Sequence, residues 1–487
     1  MIRQYIFLYI LYVLGLMWGL SFKKLPMLFV FLSGFLWGAI IWVIASFFGL
    51  LVFRLFVPVN IFIVGLIISA AFLVPRLAEV RGNWRQLVQW FIGASFLFLL
   101  LSYLFHKFNY TYIGPDSIAF IANGRQIFLK GLTELTKNEM VLRGIFLPLI
   151  QAASVMTRFQ YLSSFAPMLN FSFFATFCYL CWYSTRQVGN NLIRVLAMVF
   201  TILPLVGIPI ILEHLFYVHV NLPSAAYFSV AVICLRLALL EKNEDWFILG
   251  LVALTGFNLL RIEAPIFSIA VLILVVHKEE IGYKYRLFSL LPFSLFFIAY
   301  YSYLTLLLSG NDTYILSPAR SMVIVVMYGM LLVYFFLLKT KLWPKMLVEW
   351  LPTLMVGVLV LAIGLFFMSN PEAMKSAVSV WFNNLITNGF WGATWYILIP
   401  ALIILSLLKG SMNEHLFIYW IISFILILIL INFQAYPIHY NNSGDSANRI
   451  MIHIVPVIFY YCLIRWSALY QYFQIKSTTL NTSAPTQ

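Results

Sequence analysis

Apolar stretches long enough to cross a membrane recur from one end of the chain to the other, separated by short polar turns. They run over 4–20, 26–53, 58–75, 88–105, 145–157, 160–183, 190–212, 222–240, 246–260, 263–276, 286–308, 318–338, 349–369, 392–408, 415–433 and 450–469. A spanning helix needs about 20 mostly apolar residues, so several of these are too short to cross alone. The pattern predicts an all-α, polytopic transmembrane helical bundle with about 12–15 crossings. No polar block is long enough for a separate soluble domain. The expected organisation is N-terminal transmembrane helices over 1–105, an external loop over 106–143, a transmembrane core over 144–470 and a disordered polar tail over 471–487.

Within the loop 106–143, Ser117 to Leu129 places Ile118, Ile121, Ala122 and Phe128 largely on one helical face, with Asn123, Arg125 and Gln126 elsewhere. That pattern predicts a helix lying at the membrane interface. Two further polar stretches, 369–391 and 432–449, exceed an ordinary turn. The basic turns Lys278 to Arg286 and Lys339 to Lys345 mark cytoplasmic loops, which puts 370–391 and 434–448 outside and the C-terminus inside. Met1 to Leu20 is followed by Ser21-Phe22-Lys23-Lys24 rather than a small-residue cleavage site, and reads as an uncleaved first helix.

Composition sharpens the membrane reading. Of 487 residues, 63% are hydrophobic and 9% are charged, against roughly 25% charged in a soluble domain. A water-soluble shape would leave large apolar patches exposed. The net charge of +14 comes from basic residues at the edges of apolar runs, as the positive-inside rule and anionic lipid headgroups explain. The bilayer is therefore the expected partner and nucleic acid is not. Cys178, Cys181, Cys234 and Cys462 all lie inside apolar runs, and read as packing residues rather than redox or metal ligands. The chain has no P-loop, G-x-G-x-x-G, H-E-x-x-H or serine-hydrolase elbow, so no nucleotide site is expected.

Ionisable residues in or beside spans are costly and become candidates for function. Asp116 reads either as a helix-terminal cap or as a base that takes a proton from a substrate hydroxyl. Glu213-His214, followed by His219 and Asn221, reads as interface residues or as a pair for proton transfer or metal ligation. Arg261-Ile262-Glu263 separates two short apolar segments. These read as a structural Arg261–Glu263 pair, although residues two apart on a regular helix do not face each other, or, favoured, with Arg261 as a grip on phosphate. Arg449 opens an apolar segment, where the helix dipole disfavours a cation; it snorkels or clamps an anion. Arg125, Lys130 and Arg143 read first as a solvated basic loop; that the loop is expected to be external, where basic excess is unusual, favours as the alternative an anionic ligand such as a lipid-linked phosphate.

The order of these features resembles the type C superfamily of multi-spanning glycosyltransferases, and looks closest to its bacterial aminoarabinose and mannosyl transferase branch. The family's acidic motif and interfacial helix correspond to Asp116-Ser117-Ile118-Ala119-Phe120 running to Lys130-Gly131. Phe146 to Ala152 matches a short helix containing proline, Asn221-Leu222-Pro223 an acidic Leu-Pro step, and Arg261-Ile262-Glu263-Ala264 a basic Pro-Glu-Gly step. Ser443-Gly444-Asp445 to Arg449, then Val455-Pro456, matches a late helix opened by arginine. Ser117 stands where the family has a second carboxylate, Asn221 where it has Asp and Ile262 where it has Pro. About four helices precede the acidic loop, where many relatives have one.

The resemblance implies transfer of a sugar, with inversion, from a polyprenyl-phosphate donor to a lipid or cell-envelope glycan acceptor. The site would face outward from a cell membrane, most naturally the bacterial cytoplasmic membrane. Asp116 would be the base, with Glu213 and Glu263 as further catalytic carboxylates that orient the acceptor or an arginine. Arg261, Arg449, Arg125 and Arg143 would hold the donor phosphate, and His214, Asn221 and His453 would serve the acceptor side. No metal ligand and no cofactor are assigned, a divalent metal being left open. The rival readings are a lipid-linked oligosaccharide flippase or an oligosaccharide polymerase or ligase of another membrane fold.

Overall fold

A computed structural model of the protein describes residues 2–73, 84–107, 111–132, 144–157, 161–307, 317–339, 345–387, 389–408, 412–435 and 449–482. The helices α1 (Ile2–Gly19), α2 (Met27–Phe53), α3 (Pro58–Leu73) and α4 (Trp84–Lys107) come first. They are followed by α5 (Pro115–Lys130), α6 (Phe146–Thr157), α7 (Phe165–Ser184), α8 (Asn191–Gly207) and α9 (Pro209–Leu215). Next come α10 (Asn221–Glu241), α11 (Glu244–Leu260), α12 (Ala264–Ile273), α13 (Tyr283–Leu307) and α14 (Pro318–Lys339). The last are α15 (Lys345–Ser369), α16 (Pro371–Ile386), α17 (Thr394–Leu407), α18 (Met412–Ala435) and α19 (Val455–Thr482). Among the described residues there is no strand, only an isolated bridge between Tyr112 and Tyr217. The chain is an all-α, polytopic bundle.

Among the described residues nine helices are long and apolar enough to cross a membrane, or ten if α8 and α9, bent by 79° at their junction, form one broken span. The 12–15 crossings expected from the sequence exceed this because the stretches 145–157, 263–276 and 392–408 fold as half-length helices. Such helices need protein around their ends, since lipid cannot hydrogen-bond a free N–H or C=O. Two other expectations are corrected. The stretch 369–391, expected as a loop, contains α16; Asn370 accepts from the Ala373 N–H at 3.1 Å with Pro371 at the first helical position, a well-formed helix start. The tail expected to be disordered from 471 is helical to Thr482, because no proline or glycine interrupts it before Pro485.

The single core expected over 144–470 is instead divided between two compact units. One comprises Met1–Thr176 with Glu213–Glu349, the other Phe177–Leu212 with Trp350–Gln487. At the centre of the first unit is α10, whose apolar stretch is entirely buried. Tyr227 on α10 donates to the Leu36 carbonyl of α2 at 2.8 Å. The α1–α2 pair packs backbone to backbone: a side chain at Gly38 would run into the Leu11 carbonyl, the kind of close approach that small residues allow between membrane helices. Half-length α12 is held by polar contacts. Ser268 donates to Asn258 Oδ1 at 2.6 Å and Asn258 Nδ2 donates to the Tyr328 hydroxyl at 2.8 Å.

In the second unit the carbonyl end of α17 is closed by a buried guanidinium. Arg465, 2% exposed, donates to Leu405 O at 3.2 Å and also to Leu408 O. The last carbonyls of a helix have no partner within it, and a cation there also opposes the dipole.

Candidate functional site

The site is assembled where the segment before α5 meets the segment before α10. The Tyr112 N–H donates to Phe216 O at 2.8 Å and the Val218 N–H donates to Tyr112 O at 3.2 Å. Ser117 closes the joint: its Oγ accepts from the Gly114 N–H at 3.2 Å and donates to Val218 O at 2.8 Å. The position where the resembling family has a second carboxylate is thus a pin between two chain segments. Gly114, not Asp116, is the residue that caps α5. Asp116 sits in the first turn, where the dipole favours a carboxylate, and its Oδ2 lies 3.1 Å from His219 Nε2.

The helix α5 packs on α6, and its buried residues are Ser117, Phe120, Asn123, Gly124 and Ile127. A Cβ at Gly124 would come within 2.8 Å of the Ala152 nitrogen and the Gln151 Cβ, so this face fits only because the residue is glycine. Of the face expected to be apolar from periodicity, Ile118 (61%) and Ala122 are exposed and Ile121 and Phe128 are half-buried, and the neighbouring Leu129 is 67% exposed. Phe120 and Ile127, two turns apart and flanking Gly124, are the buried large side chains of α5, and Phe120 meets the His219 ring edge-on. The exposed isoleucine and leucine suit contact with lipid at the interface.

From His219 the hydrogen bonding continues inward. The Asn221 N–H donates to His219 Nδ1 at 3.2 Å. The Asn221 Nδ2 lies 3.1 Å from His214 Nε2, and its Oδ1 accepts from Arg261 Nη1 at 3.3 Å. Arg261 Nε donates to Glu263 Oε1 at 2.7 Å. The Tyr217 ring stacks on His219, with centroids 5.0 Å apart. Asn170 on α7 donates to His214 O at 3.2 Å and Leu215 O at 2.9 Å, closing the carbonyl end of α9. The Ile145 N–H donates to Leu259 O at 3.1 Å, which ties the start of α6 to the end of α11 and brings Arg261 to this end of the unit. The middle of the chain is sealed, with His214 3%, His219 4% and Asn221 0% exposed. Its two ends are open, with the Asp116, Arg261 and Glu263 side chains 26%, 18% and 17% exposed.

The pairing of Arg261 with Glu263, which helical geometry argues against, exists because the chain is extended at Arg261 (φ −139°, ψ 138°) between α11 and α12. Two of the five guanidinium donors are thereby engaged within the protein.

Of the residues singled out in the sequence, Asp116, His214, Asn221, Arg261 and Glu263 come together. Glu213 does not: it is exposed on α9 and makes no hydrogen bond among the described residues. Arg125 is exposed on α5, and Arg143 lies outside the described residues. Arg449 and His453 belong to the second unit, where His453 is fully buried just before α19. His219, Ser117 and Asn170 complete the arrangement. Of these only His219 carries a sequence signal, an imidazole two residues ahead of a helix start. Among the described residues no group of three or more His, Cys, Asp or Glu is placed to hold a metal ion. An apolar cavity of about 470 Å³ elsewhere in the first unit, between α1, α2, α4 and α7, includes none of these residues. Comparison with family models, curated proteins and solved structures yields no match.

Proposed function

We propose that the protein is a membrane-embedded glycosyltransferase that moves a sugar from a polyprenyl-phosphate donor to a lipid or cell-envelope glycan acceptor. One observation carries the reading. Asp116, Asn221, Arg261 and Glu263, which the motif order of the type C enzymes assigns to one site, lie in one hydrogen-bonded chain with His219 and His214. That chain presents a carboxylate at one open end and a guanidinium–carboxylate pair at the other.

The chemistry divides between those ends. The acceptor hydroxyl oxygen attacks the anomeric carbon as its proton passes to Asp116. The bond from that carbon to the phosphate oxygen breaks, and the electron pair leaves on the phosphate. A phosphate leaving group needs no proton, so a single base suffices and the anomeric centre inverts. Arg261, oriented by Asn221 and Glu263, stabilises the charge that develops on the departing phosphate.

The side of the membrane follows from charge. The end of the first unit opposite this chain carries Lys23 and Lys24 between α1 and α2, and Lys242 between α10 and α11; the segment joining α3 to α4 carries Arg76 and Arg81. Lys24 pairs with Glu244 at 2.9 Å at that end. Taken as the cytoplasmic side under the positive-inside rule, this end would leave Asp116 facing outward, with Arg54, Lys107, Arg125 and Lys130 as basic residues on the outer side, in keeping with an anionic lipid-linked donor.

The test is transfer of radiolabelled sugar from a panel of polyprenyl-phosphate donors by purified protein in detergent. Wild type transfers sugar, and Asp116→Asn is at least about a hundredfold slower with its folding intact, since an amide cannot act as the base. Wild type inert with every donor overturns the enzyme reading. If that inert protein moves lipid-linked sugars across a liposome bilayer, the flippase reading replaces it.

A further inference from the structure

Asn221 stands between both imidazoles and the guanidinium, and it dictates which nitrogen of each ring carries a proton. A backbone N–H can only donate, so the Asn221 N–H at 3.2 Å from His219 Nδ1 requires a lone pair there. The proton of neutral His219 is then on Nε2, 3.1 Å from Asp116 Oδ2, and is donated to the carboxylate. The side-chain amide is oriented in the same way. Arg261 is donor-only, so the oxygen of Asn221 faces it and the nitrogen faces His214. His214 Nε2 accepts, and its proton is on Nδ1.

The helix start explains why this is stable. The first N–H groups of α10 have no partner inside the helix. His219 Nδ1 supplies one, while the positive end of the dipole disfavours an imidazolium. We infer that His219 and Asn221 are positioning residues, resting on the transferase reading above: His219 orients the Asp116 carboxylate by a fixed Nε2–H donor, and Asn221 fixes that donor. His219 is not a proton relay, because Nδ1 is committed to a backbone N–H. A proton taken from an acceptor hydroxyl stays with Asp116 until it leaves to water.

The experiment has two readouts. The first uses protein labelled with ¹⁵N at its seven histidines, purified in detergent at pH 7.5, with the His219 signals identified as those missing from His219→Gln. The expected spectrum has His219 as the Nε2–H tautomer; the Nδ1–H form or an imidazolium overturns the inference. The second readout is sugar transfer. His219→Phe, which removes the donor, lowers kcat about tenfold or more with KM for the lipid-linked donor little changed. His219→Gln, whose terminal amide reaches where Nε2–H was, recovers most of that loss. Equal losses in both variants overturn the positioning role. If the tautomer is found as expected in a wild type that transfers no sugar, the transferase reading falls while the geometry stands, so the two failures are distinct.

Discussion

Replacing Asn221 by leucine tests whether the buried chain of hydrogen bonds is a structural unit. Leucine has the branched outline and heavy-atom count of asparagine but bulkier methyl groups, so it leaves no cavity, and any overpacking adds to the change in polarity. Two contacts disappear, to His214 Nε2 at 3.1 Å and to Arg261 Nη1 at 3.3 Å. His214 is 3% exposed, so its lone pair loses its partner without gaining water, at about 1–3 kcal/mol. Arg261 keeps Glu263 and some solvent, so its share is at most about 1 kcal/mol. The expected destabilisation is about 1–4 kcal/mol, read as the shift in thermal or denaturant unfolding of the purified protein in detergent. Asn221→Asp keeps an acceptor for Arg261 and is satisfied at His214 if that ring moves its proton to Nε2. It should cost clearly less than leucine, despite burying a carboxylate beside the arginine. An Asn221→Leu protein within about 0.5 kcal/mol of wild type, the scatter of ordinary surface changes, would refute the reasoning.

Two further outcomes are expected. Gly124→Val, with even a Cβ at 2.8 Å from the α6 backbone, should force α5 off α6 at a cost of about 1–3 kcal/mol; unchanged unfolding and unchanged sugar transfer would show that the two helices do not press together. His277, in the segment between α12 and α13, is lowered to about 4 from 6.5 by burial and by neighbouring Lys278. The unfolded chain therefore binds a proton that the folded one refuses. Stability is full above pH 6.5 and falls as pH drops through about 4, by up to roughly 3 kcal/mol. Unfolding followed over that range should show the loss in wild type and a flatter profile in His277→Gln, and identical profiles would refute the assignment.

The helical architecture was legible because apolar length and turn chemistry are local. The interfacial helix ends at Lys130 before Gly131, whose φ of +76° is natural for glycine, and the two short helices around Arg261 fall where the polar break puts them. The crossing number was less legible, because a half-length helix and a short span have the same hydropathy and differ only in what covers their ends. Asp116, His214, Asn221, Arg261 and Glu263 stood out because polar groups beside apolar runs are expensive. Their wiring did not, since it depends on a backbone bridge between residues 112 and 217 and on the extended conformation of Arg261. Glu213 and His214 look equivalent as neighbours in sequence; one helical step of about 100° sends one outward and the other into the bundle. Periodicity identified one apolar face of α5, and what it could not show is the close approach to α6 that Gly124 permits on the other face.

The fastening of α5 governs how anything reaches Asp116. Its front end is riveted to Val218 by Ser117. Its middle is sunk against α6 at Gly124, and at its rear a side chain on Gly131 would strike the Arg54 carbonyl beyond α2. A segment held at three points by three different parts of the chain is a doorsill, not a door. On the transferase reading proposed above, a lipid-borne substrate would reach Asp116 past the exposed Ile118 and Leu129 rather than by displacing α5.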